Sequence, residues 1–332
     1  IFEGINKFCL FIFSPMNSLP ANNPDWLVKK IIQMGGTISF YDYMNFVLND
    51  PINGYYGSGK AKLGVRGDFV TSSSLSDDFA FLVGRQIEEW LIHFKSIFLS
   101  NQKLAVIEFG AGNGSFMSGL IKYLLGSSKN FLKGVSFIII EPNKGMVEKQ
   151  KNKLEDFLNL GIDILWKGLE EIEENNINGI VIANEVLDAL PVERITFSKE
   201  KLFRQAVSID KESDRLSLDE MPITSELEKS IELAKSELGI TIPPKDALEG
   251  WTTEWHVDNS EWLKALYGKI NNGILLIIDY AKEAEKYYTS RNSDGTIVAY
   301  KNQKMIPDVL DSPGNCDLTS HVCVETLIND AE

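Results

Sequence analysis

Residues 103–114 read KLAVIEFGAGNG, and the reading of this stretch decides the fold. Leu104, Ala105, Val106, Ile107 and Phe109 form an apolar run interrupted by Glu108. The run breaks into glycines at alternate positions, Gly110, Gly112 and Gly114, with Ala111 between the first two. A short apolar run bounded by glycines reads as a buried parallel strand entering a tight turn. The residues that follow, SFMSGLIKYLL (115–125), place Phe116, Leu120, Ile121, Leu124 and Leu125 at helical spacing. The unit is therefore strand, turn, helix. Its glycines let the backbone approach a ligand closely, with the N–H groups of a helix N-terminus behind them.

A second apolar run, VSFIII (135–140), ends on Glu141 with Pro142 behind it. An acidic residue at the end of the second strand is placed to accept hydrogen bonds from both hydroxyls of a ribose. Two cofactor classes share that device. The dinucleotide pattern G-x-G-x-x-G needs its third glycine at position 115, which is Ser115. The G-x-G-x-G spacing and Glu108 just before the turn suit S-adenosylmethionine better, and a nicotinamide dinucleotide is the alternative.

Outside this unit, the 332 residues suffice for one large domain or two ordinary ones. Hydrophobic content of 44% and charged content of 24% are those of a globular protein with a sizeable core. A net charge of −14 speaks against a duplex nucleic-acid partner, which would need a basic face. It agrees with small molecules or a basic protein segment as substrate. Cys9, Cys316 and Cys323 are too few for a disulfide framework and lack a zinc spacing, as do His93, His256 and His321, so no metal site is expected. There is no G-x-S-x-G elbow and no phosphate-binding G-x-x-x-x-G-K-S/T loop. No apolar run is long enough to cross a bilayer. The apolar patch Phe8–Phe13 precedes Met16, and residues 1–15 are expected to be upstream sequence, with translation beginning at Met16.

Residues 16–100 read as a helical N-terminal part, with helices over Trp26–Met34 and Tyr41–Leu48 and a third from Ser76. In the third, Phe79, Leu82, Val83, Ile87, Trp90, Leu91 and Phe94 are spaced to face a core. Between them lie DPINGYYG (50–57), carrying Tyr55 and Tyr56, and the irregular GVRGDFVTSS (64–73), carrying Asp68, Phe69 and Thr71. Irregular loops of this length in a compact domain are more often functional than idle. After Glu141, a helix with a lysine-rich solvated face (145–160) and a third strand (162–166) lead to a fourth strand, Ile180–Ala183. It runs into Asn184-Glu185 and then Asp188, polar groups at the carboxyl end of a parallel strand, where open α/β sheets bind ligands. Residues 192–268 break the rhythm with a strand pair (197–210), a polar helix (225–239) and an irregular stretch (241–257), and read as an insertion suited to substrate contact or homodimerisation. The fifth strand, Ile274–Ile278, ends in Asp279-Tyr280; GTIVAY (295–300) reads as a further strand and GNCDLTSHV (314–322) as a polar turn.

Together these segments resemble the MidA-like (DUF185) methyltransferases, a family that includes a mitochondrial protein arginine methyltransferase acting in respiratory complex I assembly. The resemblance rests on DPINGYYG (50–57), GDFVTS (67–72), EFGAGNGSFM (108–117), Glu141-Pro142, ANEVLDALPVER (183–194), IDYA (278–281), GTIVAY (295–300) and GNCDLTSHV (314–322), which keep the family order. It implies an α/β, Rossmann-like class I methyltransferase sheet whose last C-terminal strands are missing from this chain. Residues 101–191 would then form the core that binds S-adenosylmethionine, and residues 269–332 a continuation with an acceptor-side loop. The implied acceptor is an arginine of a protein substrate, such as a respiratory complex subunit, in the bacterial cytoplasm or the mitochondrial matrix. On that reading Gly110, Ala111, Gly112 and Gly114 face the methionine part of the donor with Glu108 beside them, Glu141 faces the ribose, and Asp68, Phe69 and Thr71 form a wall. Glu185 and Asp188, with Asn184, hold the guanidinium, while Tyr55, Tyr56, Asp317, Thr319 and His321 line the acceptor side. The competing reading is a non-catalytic assembly factor that keeps the fold and binds a partner.

Overall fold

The computed structural model describes residues 23–64, 67–71, 74, 76–97, 103–127, 132–210 and 215–332; segment 1–15, the Met16 start, and Ser72 and Ser73 of the irregular loop lie outside the described residues. The described chain enters through a helix (Asp25–Gln33), β1 (Thr37–Ser39) and a second helix (Phe40–Asn49). Ser39 starts that second helix: its Oγ accepts the Asp42 N–H at 3.0 Å and donates to Asp42 Oδ2 at 2.7 Å. This satisfies one of the N–H groups that every helix start leaves without a partner. The helix Asp77–Ile97 buries Ala80, Gly84, Ile87, Leu91 and Phe94. Leu82, expected in the core, is 75% exposed instead. The inward position goes to Gly84, whose missing side chain admits the Tyr123 ring; an added Cβ would sit 2.9 Å from Tyr123 Cδ1.

The central sheet is wholly parallel. It contains β2 (Leu104–Phe109), β3 (Val135–Ile140), β4 (Ile164–Lys167), β5 (Ile177–Asn184) and, after an insertion, a strand over Ile270–Ile278. In space the order is third, second, first, fourth, fifth, so the direction of winding reverses between β2 and β5. Both faces are covered, which is why these strands read as continuous apolar runs rather than alternating ones. Val106, Phe137, Ile180 and Ile182 pack with Ile87 and Leu120 on one side. Ile107, Ile140, Val181 and Ala183 pack with Leu266 on the other. Each fully buried side chain of this kind contributes about 1.5–3 kcal/mol. These elements match the α/β Rossmann-like architecture expected from the sequence.

The insertion forms β6 (Glu193–Ser198), β7 (Lys201–Ile209), β8 (Leu216–Pro222) and β9 (Thr252–Trp255), with the helix Ser225–Leu238 between the last two. All pair antiparallel, and β1 joins them through Thr37 opposite Ser208. The stretch expected to be irregular thus contains a buried strand, β9. It was hidden because Thr252, Thr253 and Glu254 are polar, yet all three are buried. Thr252 Oγ1 lies 3.0 Å from Thr196 Oγ1, and Glu254 accepts the Tyr287 hydroxyl and the Thr296 N–H and pairs electrostatically with Arg194.

The last sheet strand, β10 (Ile270–Ile278), pairs with β5, and Asn271, Asn272 and Gly273 are exposed. Beyond it lie β11 (Ala281–Lys282), the short helix Ala284–Tyr287, β12 (Val298–Lys301) and β13 (Lys304–Ile306). After them come β14 (Asp317–Thr319), β15 (Val322–Cys323) and the helix Val324–Ala331. Residues 317–319, expected in a turn, are a strand paired antiparallel with β12, and Cys316 and Leu318 are buried in one cluster with Leu27, Tyr43 and Val47. The N-terminal helices and the C-terminal strands therefore share one core.

Candidate active site

The turn after β2 meets the turn after β5 at the point where the winding reverses, and the crevice there holds a cavity of about 500 Å³. That lies within the roughly 300–1,000 Å³ of small-molecule sites, at the position where open α/β sheets bind ligands. Its walls come from distant parts of the chain: Tyr56, Leu63, Phe69 and Thr71 before the sheet, Glu108 to Asn113 at the end of β2, Glu141 to Asn143 after β3, Asn184 to Val186 and Asp188 to Leu190 at the end of β5, and Asp317.

The glycine turn is a cradle built from backbone. Gly110, Gly112 and Gly114 have φ of +63°, +53° and +80°, a region costly for residues with a Cβ. Gly110 N–H donates to Ile140 O at 2.9 Å, tying the turn to the neighbouring strand end. Leu63 of the preceding loop lies across the turn, its Cδ1 2.7 Å from where a Gly112 Cβ would stand.

Two carboxylates flank the cradle, Glu108 buried and Glu141 half-buried. Glu108 is buried, its Oε2 has no hydrogen-bond partner, and the Met117 N–H near the start of the helix Ser115–Ser127 favours its charged form. Burial, with Glu141 close by, pushes its carboxyl up to about 8. Glu141 Oε1 accepts the Asn143 N–H at 2.9 Å and its Oε2 accepts Gln150 Nε2 at 2.6 Å. Burial pushes Glu141 up to about 7. Gln150 was not anticipated. It sits in the helix with the lysine-rich solvated face, on its buried side; it also donates to Gly112 O at 3.0 Å and accepts Trp166 Nε1 at 3.0 Å.

The opposite end of the cavity is acidic. Glu185 stands at φ +53°, with its N–H donated to Ile278 O at 2.8 Å. Asn184 Oδ1 is buried without a partner. Asp188 is buried, and its Oδ2 accepts the Thr319 hydroxyl at 2.8 Å. Burial first, then Asp279 and Asp317, hold its carboxyl well above the carboxylate range. Asp317 Oδ1 accepts the Tyr56 hydroxyl at 2.8 Å, and burial pushes Asp317 up to about 6.

Of the residues singled out in the sequence, Glu108, Gly110, Ala111, Gly112, Glu141, Phe69, Thr71, Asn184, Glu185, Asp188, Tyr56 and Asp317 border the cavity. Five stand behind or beside it. Gly114 packs against Gln150. Tyr55 donates its hydroxyl to Asp68 at 3.0 Å, and Asp68 in turn accepts the Asn302 N–H at 3.0 Å. Thr319 reaches Asp188 from outside the wall. His321 lies edge-on to Tyr280, with ring centroids 6.5 Å apart.

Residues 82–332 match a protein family described as "Putative S-adenosyl-L-methionine-dependent methyltransferase". The chain belongs to this family. It is 26% identical over 329 residues to the protein arginine methyltransferase NDUFAF7 homolog, mitochondrial, of Caenorhabditis elegans, covering 92% of this chain and 71% of the relative. It is 28% identical over 325 residues to the mitochondrial protein arginine methyltransferase NDUFAF7 of Danio rerio, covering 89% and 68%. A superfamily member from Burkholderia thailandensis, solved with S-adenosyl-homocysteine bound, superposes with a TM-score of 0.77 at 27% identity over 95% of this chain and 79% of its own.

This methyltransferase uses S-adenosylmethionine as its cofactor. Its own geometry fits such a donor: a turn whose alternate residues carry no Cβ, an unpartnered buried Glu108 oxygen, and a second, half-buried carboxylate at the end of β3. Among the described residues, no helix of the methyltransferase is long and apolar enough to cross a membrane.

Proposed function

We propose that the chain transfers a methyl group to an arginine side chain of a protein substrate. The observation that carries this reading is the convergence of Glu185, Asp188 and Asp317, with Asn184, on the cavity end away from Glu141. Paired carboxylates suit a planar guanidinium, which presents its donors in a fork. They also offset the repulsion between a cationic acceptor and a cationic donor brought into one buried site. The names of the nematode and fish relatives point the same way. Their designation as mitochondrial favours a mitochondrial location, and the family resemblance makes the matrix and a respiratory complex subunit the compartment and substrate class to test first.

When bound, S-adenosylmethionine supplies a sulfonium methyl that is already strongly electrophilic. The protein's task is then alignment. Gly110, Ala111, Gly112 and Gly114 would cradle the methionine part, Glu108 would meet its ammonium, and Glu141 its ribose hydroxyls. Phe69 and Thr71, braced by Asp68, would close the wall, and Tyr56 and Asp317 would border the acceptor's path. Methylation of a guanidinium releases one proton. Asp188, a buried carboxyl whose affinity for protons is raised, is the group suited to take it.

The test is methyl incorporation from radiolabelled S-adenosylmethionine into proteins of a mitochondrial extract, followed by identification of the modified residue. Methylarginine in the labelled product supports the proposal. Label on lysine, on a carboxyl group or on a small molecule overturns it. Glu185→Gln is expected to keep donor affinity and abolish the labelling.

A further inference from the structure

Asp279, at the carboxyl end of β10, borders none of the cavity but governs the turn that does. Its Oδ2 accepts three consecutive backbone N–H groups: Val186 at 3.1 Å, Leu187 at 2.8 Å and Asp188 at 3.3 Å. Its Oδ1 accepts the Tyr280 N–H at 2.8 Å. One residue earlier, Ile278 O accepts the Glu185 N–H at 2.8 Å. The end of the fifth strand therefore holds the backbone of all four residues 185–188, including Glu185 in a left-handed conformation that a non-glycine residue adopts at a cost of about 1–2 kcal/mol. The other side of Asp188 is fixed by Thr319, whose hydroxyl meets its Oδ2, and by Ser320, whose N–H donates to its carbonyl at 2.9 Å.

We propose that Asp279 is a positioning residue for methyl transfer: it sets the geometry of Glu185 and Asp188 through the backbone of the turn that bears them. The proposal rests on the reading of Glu185 and Asp188 as the acceptor-side acids. A carboxylate at the focus of three N–H groups fixes a short 3₁₀ turn, Leu187–Ala189, far more narrowly than the turn's own single hydrogen bonds would. The same carboxylate raises the proton affinity of Asp188 through space. Burial is the larger cause, and Asp317 and Glu185 act in the same direction. The groups facing Asp188 are thus Glu185 on its own turn, Asp279 after β10 and Asp317 on β14. Burial chiefly raises the Tyr56 and Tyr280 hydroxyls, and the Asp188 charge acts on both in the same direction.

The experiment compares Asp279→Asn, Asp279→Glu and Asp188→Asn in methyl incorporation from radiolabelled S-adenosylmethionine into the proteins of a mitochondrial extract, across pH. Donor affinity is measured by calorimetry and folding by circular dichroism. Asp279→Asn is expected to lower the maximal rate about 10- to 100-fold, as a displacement near 1 Å does, with donor affinity unchanged within about threefold. Loss of its charge should also move the acid limb of the pH–rate profile downward, because Asp188 then releases its proton at lower pH. A purely structural brace would leave that limb in place. Asp279→Glu keeps the charge and misplaces the carboxylate, so it should slow the reaction without moving the limb. If Asp279→Asn does not fold, Asp279→Glu carries the test on the rate alone. A wild-type rate and acid limb in a folded Asp279→Asn, beside an inactive Asp188→Asn, overturn the positioning role alone. An active Asp188→Asn, or no labelling by the wild type, overturns the acceptor-side reading and this inference with it.

Discussion

Gln150 Nε2 lies 2.6 Å from Glu141 Oε2, and the same amide nitrogen lies 3.0 Å from Gly112 O. One side chain thus joins the acid at the end of the second strand to the glycine turn at the end of the first. Its carbonyl oxygen accepts Trp166 Nε1, so the amide is used on both sides and its orientation is set.

Gln150→Ala is expected to weaken S-adenosylmethionine binding by about tenfold or more, since Glu141 loses a short charge-assisted bond and Trp166 an acceptor. Two part-buried atoms, Glu141 Oε2 and Trp166 Nε1, then lose their partner, which should also cost about 0.5–1.5 kcal/mol of stability each. Calorimetric affinity and urea unfolding check both, and unchanged donor affinity would separate Gln150 from the cofactor site.

Gly112→Ala should destabilise the protein by about 1–2 kcal/mol through its left-handed backbone alone. The new methyl would also press on Leu63, 2.7 Å away. Adding Leu63→Ala relieves that contact but not the backbone strain. The double variant should therefore regain some donor affinity and remain less stable than the wild type in denaturant unfolding.

Four carboxyls of the site share a sign in their response to pH. Burial raises Glu108 to about 8, Glu141 to about 7 and Asp317 to about 6, and raises Asp188 as well. Between their ordinary values near 4 and these raised ones, the folded chain holds protons that the unfolded chain has released. Stability of the donor-free protein should therefore fall as pH rises from about 4.5 to about 8, each unit of displacement being worth about 1.4 kcal/mol. Asp50, lowered to about 2 chiefly by Lys30 against the effect of its own burial, acts oppositely and only at lower pH. His256, lowered by burial from 6.5 to about 4, also acts oppositely across that interval, so the fall is clearest above pH 6.5. Glu108→Gln should flatten the slope above pH 5. A wild-type midpoint that is constant across this range would contradict the prediction.

Away from the site, Arg194 and Glu254 are both buried, with Nε 3.4 Å from Oε1, close enough for charge attraction without a formed hydrogen bond. Arg194 is instead hydrogen-bonded to Gln205 and to Asp294, and its guanidinium lies 5.4 Å from the Phe40 ring centre. Arg194→Ala leaves the Glu254 charge buried and should lower unfolding free energy by about 3–5 kcal/mol. The loss should be visible as a shifted urea midpoint with little change in donor affinity.

The central sheet was legible because its strands are apolar over their whole length. Val135–Ile140 was read at its observed boundaries, and the runs at Leu104, Ile180 and Ile274 lie within observed strands. The glycine turn was legible because alternate glycines have few other uses. Strands β9 and β14 were not, because Thr252, Glu254 and Asp317 are polar residues buried by partners distant in sequence. Asp279 carried a faint signal as an acid ending a parallel strand. Gln150 carried none, standing among the lysines of a helix with a solvated face.

By itself, the sequence determined the α/β strand–turn–helix order and the residues at the strand ends, since these depend on local periodicity and on backbone conformations that favour glycine; the glycine spacing favoured one donor class, and the resemblance carried by the other motifs named it. Only the tertiary structure decided which of those residues border one cavity and which brace it from behind. It brought Gln150 to Glu141, and Asp279 to the turn bearing Asp188, across separations of 9 and 91 residues. Such pairings arise when strands and helices close a shared core, and no local pattern records them.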